Sequence, residues 1–333
     1  MTSARPLLTL VVPAYDEVDG VDEFVGFYRE IRAAYDAVDV ELVVVDDGSV
    51  DGTADAVTAA VRADDDITVV RLSRNFGSHA AISAGFAHAR GDAALTLSAD
   101  RQEPLGAVGD FIEQWQDGAD IVWGLREVRA KKSGMYDSFA EGFSKLYQSR
   151  SDVPTYPREG PSQILVTRPV LDTLNAMPEL NRNVLAMAAW TGFDQRKIFF
   201  EQLPRPHGTS KWTGRKKRKL VIDSFVEFSH APLQWLAGLG IAFGLFGVAL
   251  LIAGLVLAIV TDGHAAVPTI CGVVFGVGGV NLGALSVVGE YVWRAGDDAR
   301  RRPLFIARSV TRHGADPDTA ASAVPGVFDP VKE

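Results

Sequence analysis

Val43-Val44-Val45-Asp46-Asp47-Gly48-Ser49-Val50-Asp51-Gly52-Thr53 is the stretch on which the reading of this chain turns. Three β-branched residues run straight into two carboxylates, and a Gly/Ser/Asp turn follows. A strand buried on both faces of a parallel sheet reads as such an apolar run. Open α/β sheets gather ligands beyond the carboxyl ends of their strands. Asp46 and Asp47 are therefore expected where a strand stops and a crevice begins. Gly48 and Gly52 permit the sharp turn, and Asp51 or Thr53 can cap a helix over about residues 54–62.

The same alternation extends on either side. Leu7–Val12, Val40–Val45, Ile67–Leu72, Ala93–Leu97, Asp120–Trp123 and Gln163–Thr167 read as strands. Helical periodicity falls over Val21–Tyr35, His79–Ala89, Leu105–Trp115, Ser133–Gln148, Pro169–Ala176 and Leu180–Trp190. Strands alternating with helices predict a mostly parallel sheet covered on both faces.

The chain has 333 residues, 47% hydrophobic, with a net charge of −9. That charge argues against general nucleic-acid binding. The lone cysteine, Cys271, excludes a disulfide framework and a cysteine metal site. Leu7–Val12 is too short for a signal-peptide core, so the amino-terminal part is expected in the cytoplasm.

Several strand ends carry polar turns. In Pro13–Glu17, Tyr15 can stack on a base and Glu17 can accept from a ribose or base donor. Arg74 follows the third strand as a phosphate-ligand candidate. Asp100 and Gln102 follow the fourth, two apart, so in an extended segment both point to one side. One carboxylate and one amide oxygen suit Mg²⁺ or Mn²⁺ when a substrate diphosphate completes the shell.

The last third differs in kind. Leu233–Thr261 holds no charged residue over 29 positions and Ala265–Gly289 none over 25, each exceeding the roughly 20 a spanning helix needs. Asp262-Gly263-His264 between them predicts a two-helix transmembrane hairpin. Basic residues Arg215–Lys219 before it, and Arg294 and Arg300–Arg302 after it, place both flanks in the cytoplasm. Glycines in both spans permit close helix packing. The expected divisions are a catalytic domain over 1–219, an interfacial amphipathic helix over 220–231, the hairpin over 232–293 and a cytoplasmic tail over 294–333. That tail is expected to be disordered from about Thr311 onward.

Four motifs then carry a resemblance: Pro13-Ala14-Tyr15-Asp16-Glu17, Asp46–Thr53, Leu72–Gly77 and Ala99–Pro104. In order and spacing they resemble family 2 glycosyltransferases, in particular the polyprenyl-phosphate enzymes such as dolichol-phosphate mannose synthases and bacterial bactoprenol glucosyltransferases. The resemblance implies a GT-A (Rossmann-like) α/β fold. It also implies inverting transfer of a sugar from a nucleotide diphosphate sugar, of UDP-glucose or GDP-mannose type, to a polyprenyl phosphate at the inner face of the plasma membrane. Pro13, Tyr15, Glu17, Asp46, Asp47 and Arg74 would hold the nucleotide, and Asp100 with Gln102 would hold Mg²⁺ or Mn²⁺. Asp100, Arg126 and Lys211 would be catalytic. Arg129, Lys131, Arg205, Ser210 and Lys211 would meet the acceptor phosphate, the last three in a segment resembling the family's Arg…Gly-x-Ser-Lys. A homo-oligomer is expected.

Two positions depart from the family pattern. Ser98 stands where the metal motif often opens with an acid, and Ser162-Gln163-Ile164 where many relatives carry an Asp-Phe-Arg-like triplet. The second leaves no catalytic base to assign. Both favour an alternative, a catalytically inactive membrane scaffold of the same fold. A processive polysaccharide synthase is disfavoured by the lack of a Gln-x-x-Arg-Trp motif and by the single hairpin.

Overall fold

The computed structural model describes residues 5–127, 155–157, 161–179, 182–204, 266–300 and 302–314, with isolated positions between 242 and 257. The chain divides into two compact units, one built mainly from residues 1–148, 153–213 and 302–333, the other from 214–301.

The first unit is an α/β layered structure. Its strands are β1 (Leu7–Ala14), β2 (Asp39–Asp46), β3 (Ile67–Leu72), β4 (Ala93–Thr96), β5 (Ile121–Arg126), β6 (Gln163–Thr167), β7 (Gln195–Phe200) and β8 (Ala307–His313). Its helices are α1 (Val21–Ala34), α2 (Thr53–Ala60), α3 (Ser78–His88), α4 (Leu105–Gln116), α5 (Arg168–Ala176) and α6 (Val184–Trp190). The strands form one sheet in the order β7-β5-β6-β4-β1-β2-β3-β8. Pairing is parallel for β1/β2, β1/β4, β2/β3 and β5/β7, and antiparallel for β4/β6, β5/β6 and β3/β8. The sheet is thus mostly parallel, as expected, with mixed edges.

The Val43-Val44-Val45 run lies inside the sheet, between β1 and β3, each residue fully buried. Burying each of these side chains contributes about 1.5–3 kcal/mol. Successive strand residues face opposite layers. Leu10, Val12 and Val44 share a core with Phe24, Tyr28 and Ile31 of α1, Val57 of α2 and Phe111 of α4. On the other face α3 packs closely: a Cβ at Gly85 would lie 2.2 Å from Val11 Cγ1, so only glycine admits that approach.

Register brings the strand ends into line. Ala14 pairs with Asp46, Asp46 with Arg71, Val11 with Thr96 and Leu95 with Leu165. Gly124 pairs with both Gln163 and Ile198. The carboxyl ends of β1–β5 and β7 and the start of β6 therefore lie along one edge.

Three expectations are corrected. The fifth strand runs on to Arg126, because Gly124–Arg126 pair with Ile198–Phe200 of the unforeseen β7. Thr311–His313 are not tail but the end of β8, which pairs with Ile67–Val69. Helix α2 stops at Ala60, and its amino-terminal cap is Gly52 in a left-handed conformation (φ 92°), not Asp51 or Thr53. Asp51 Oδ1 instead accepts the first helical N–H, that of Thr53, at 3.0 Å.

In the second unit α7 (Ala266–Ala299) is a 34-residue helix. Its stretch Gly272–Trp293 has mean hydropathy 1.7 and is long and apolar enough to cross a membrane. Asn281 donates its side-chain amide to the carbonyl of Val277 within the same helix, at 3.0 Å. Most of the first expected span, its turn, the helix over 220–231, the helix over 133–148 and the chain beyond Gly314 lie outside the described residues.

Candidate active site

Three loops at the carboxyl edge are joined by side chain to backbone bonds. Asp16, in a left-handed conformation (φ 52°), donates its N–H to Ser49 Oγ at 2.9 Å, and Val50 N–H returns a bond to Asp16 Oδ1 at 3.1 Å. Glu17 N–H donates to Thr53 Oγ1 at 3.0 Å and Val18 N–H to Asp51 Oδ2 at 3.1 Å. The turn after β1 is thereby held against the turn after β2.

Asp46 and Asp47 take different parts. Asp46 is fully buried. Its Oδ1 accepts Ser49 N–H at 2.9 Å, while Oδ2 accepts no hydrogen bond among the described residues, Arg71 lying 3.4 Å away. Asp47 turns to the loop after β3, accepting Phe76 N–H at 2.7 Å and Gly77 N–H at 2.9 Å. Burial pushes the Asp47 carboxyl above the ordinary aspartate value, and the two amides pull it back. Gly48 (φ 71°) lies under this loop, where a Cβ would come 2.4 Å from the Arg74 carbonyl carbon. Arg74 is exposed, donates to the Asn75 carbonyl at 3.0 Å and stacks over the Phe76 ring at 3.9 Å. Pro13, Tyr15 and Glu17 are half-buried along the same edge.

The segment after β4 is a turn. Arg101 is left-handed (φ 50°) and pairs with Glu30 at 2.5 Å. The extended segment expected for Asp100 and Gln102 is therefore absent, and strand alternation does not decide their facing. Both nevertheless belong to one short turn, with Gln102 buried. Gln102 Oε1 accepts from Gln202 Nε2 at 2.7 Å.

Glu103, which sequence reasoning passed over, is the buried acid of this turn, 1% exposed. Ser98 Oγ lies 2.8 Å from both carboxylate oxygens and donates its one proton between them. Gln163 Nε2, from the start of β6, also donates to Glu103. Burial raises the Glu103 carboxyl to about 7, against the opposing pull of Ser98. The hydroxyl at position 98 and the amide at 163 are thus the partners of a single acid. A serine five residues before a glutamate carries no recognisable sequence signal, and Gln163 reaches Glu103 only through β4/β6 pairing.

Arg126 ends β5 exposed, with Glu127 N–H bonded to the Phe200 carbonyl at 2.9 Å. Arg129, Lys131, Arg205, Ser210 and Lys211 lie outside the described residues.

For a cation, the turn offers the Asp100 carboxylate and the Gln102 amide oxygen. No group of three or more His, Cys, Asp or Glu able to hold a metal occurs among the described residues. Oxygen-only donors in small number fit Mg²⁺ or Mn²⁺, which keep ligands for water and phosphate.

Known proteins resemble this chain. Residues 9–172 match the model of glycosyl transferase family 2. An uncharacterized glycosyltransferase, YkcC, of Bacillus subtilis (strain 168) is 30% identical over 90% of this chain and 93% of its own. The bactoprenol glucosyl transferase of Shigella phage SfV is 29% identical over 91% of this chain and 98% of its own. Among solved structures, the mannosyltransferase PcManGT of Pyrobaculum calidifontis, in complex with GDP-Man and Mn²⁺, superposes with a TM-score of 0.46 at 18% identity, covering 87% of this chain and 88% of that one.

Proposed function

The chain belongs to the family 2 glycosyltransferases, and on that premise we propose that it moves a monosaccharide from a nucleotide diphosphate sugar to a polyprenyl phosphate, with inversion. The observation that carries this reading is the carboxyl edge itself. Asp46 and Asp47, on turns joined by hydrogen bonds, and Asp100 and Glu103, on the turn after β4, stand at that edge with the exposed cations Arg74 and Arg126. An acidic crevice would repel a diphosphate unless a divalent cation lay between them. When bound through Asp100 and Gln102, Mg²⁺ or Mn²⁺ supplies charge neutralisation for the departing diphosphate.

The remaining work falls to the chain's own groups. Tyr15 and Glu17 hold the nucleoside, Asp46 accepts from it, and Asp47 keeps the loop bearing Arg74 in place. Arg126, with Arg129 and Lys131, faces the phosphates. An oxygen of the acceptor phosphate attacks the anomeric carbon as the bond to the diphosphate oxygen breaks, and the nucleoside diphosphate leaves with that electron pair. A phosphomonoester is already anionic at neutral pH, its second pKa being about 6. Positioning and charge neutralisation therefore matter more than a base, so the missing acid at position 162 does not remove the chemistry.

The lipid acceptor is supported by the likeness to a bactoprenol glucosyl transferase and by the apolar stretch of α7. Arg205, Ser210 and Lys211 precede the apolar third and would meet the lipid phosphate at the membrane surface, because each buried CH₂ holds the tail in the bilayer by about 0.8 kcal/mol. The basic flanks support a hairpin with the catalytic unit in the cytoplasm. An inactive scaffold is the second reading, favoured by Ser98, although that serine already serves Glu103.

Purified full-length protein is assayed with UDP-glucose and GDP-mannose against undecaprenyl phosphate, with and without EDTA. Transfer that EDTA abolishes is expected; no transfer with any donor would leave the scaffold. Lys211→Ala should raise the requirement for polyprenyl phosphate and leave donor binding little changed.

A further inference from the structure

The chain that leaves β7 is clamped onto the turn carrying Asp100 and Gln102. Leu203 N–H donates to the Gln102 backbone carbonyl at 2.9 Å, and Gln102 Nε2 donates to the Leu203 carbonyl at 3.4 Å. Gln202 Nε2 donates to Gln102 Oε1 at 2.7 Å. One residue separates this clasp from Arg205, where the expected acceptor segment begins.

The partners settle which way the Gln102 amide points. A backbone carbonyl only accepts, so Leu203 selects the Nε2 end of Gln102; its oxygen end then faces Gln202, whose Nε2 donates to it. An amide oxygen has two lone pairs, and Gln202 takes one, leaving the other for a cation. Gln102 is buried, so rotating its amide would break two bonds in a site with little water.

We propose that Gln202 is a positioning residue. It holds the Gln102 amide oxygen in the orientation that ligates the donor's divalent cation. This rests on the reading of Asp100 and Gln102 as cation ligands. Groups that orient a metal ligand change metal affinity by about 10–100-fold when removed. The sequence shows no trace of this pairing, since Gln102 and Gln202 stand 100 residues apart.

The test uses the full-length protein in nanodiscs. Mn²⁺ uptake is followed by electron paramagnetic resonance in the presence of UDP and, in parallel, GDP. Gln202→Met keeps the side chain's length and removes its donor, and should weaken Mn²⁺ uptake about tenfold. In a Gln102→Ala background the same substitution should cost nothing further, because Gln202 acts only through Gln102. Gln202→Asn is carried alongside, so that a folding failure in one variant does not leave the question open; it is expected to fall between wild type and Gln202→Met. Wild-type affinity in the Gln202 variants, or a full loss still seen beside Gln102→Ala, would overturn the positioning role alone. If the unaltered protein took up no Mn²⁺ with either nucleotide, the cation reading would fall and the positioning role with it.

Discussion

At the amino-terminal edge of the parallel strands the acids meet arginines, whereas at the carboxyl edge Asp47 and Glu103 meet amides and a hydroxyl. Arg90 donates to Glu41 at 2.7 Å and to Asp66 at 2.6 and 2.7 Å, and Arg29 donates to Asp65 at 2.6 and 3.1 Å. Glu41 and Asp65 are each 1% exposed, yet their charges are matched. Across the sheet, Asp47 is held by two backbone N–H groups, Glu103 by Ser98 and Gln163, and Asp46 by Ser49 with Arg71 only at 3.4 Å. Around Asp47 and Glu103 hydrogen bonds satisfy geometry without an arginine to cancel charge. The first arrangement fastens strands; in the function proposed above, the second keeps carboxylates for a ligand that brings positive charge or donors. The same residue types do either, and the neighbouring side chain decides which.

The sharpest way to break this contrast is Asp100→Ala. Transfer by the purified protein should fall about 10³-fold, or ~4 kcal/mol of barrier, with the denaturant midpoint little moved. A midpoint that dropped as far as the rate would place Asp100 with the fasteners.

Arg90→Ala tests the opposite edge. It strands the buried Glu41, and breaking a buried pair by removing one partner costs about 3 kcal/mol or more. Urea unfolding should show that loss while turnover per folded molecule persists. An unchanged midpoint would mean the network contributes no stability.

Glu103→Gln sharpens the comparison through pH. The Glu103 carboxyl is raised from 4.5 to about 7. Between those values the unfolded chain loses this proton while the folded protein keeps it. This group's contribution is therefore complete below about pH 4.5 and is lost as pH rises through 7. Wild type should lose about 2–3 kcal/mol across that window from this group, and Glu103→Gln should lack that fall. Parallel stability profiles for the two proteins would show that Glu103 titrates normally.

The smallest effect belongs to a surface pair. Arg5 and Asp39 meet at 2.5 Å, but their side chains are 56% and 48% exposed. Arg5→Ala should change stability by no more than about 0.5 kcal/mol. A larger loss in thermal melts would extend the fastening edge to its rim.

Much of the first unit was legible because its signals are local. Val43–Val45 announce a buried strand by composition, and Gly48 announces a turn by its freedom at positive φ. β7 and β8 were missed for the same reason. Gln195-Arg196-Lys197 is polar and reads as loop, and Ala307–His313 follows an apolar segment and reads as tail. Each becomes a strand only because β5 or β3 offers an unpaired edge.

The sequence by itself determined the β/α alternation, the apolar last third and the acids and glycines at the strand ends, since each depends on residues close together in the chain. Only the tertiary structure decided which acids are matched by arginines and which by amides and hydroxyls. Asp47 belongs to the loop at Phe76, Glu103 to Ser98 and Gln163, and Gln102 to Gln202. Those partners meet through strand register and sheet order, and a side chain's charge and hydrogen bonds are set by what stands beside it in space.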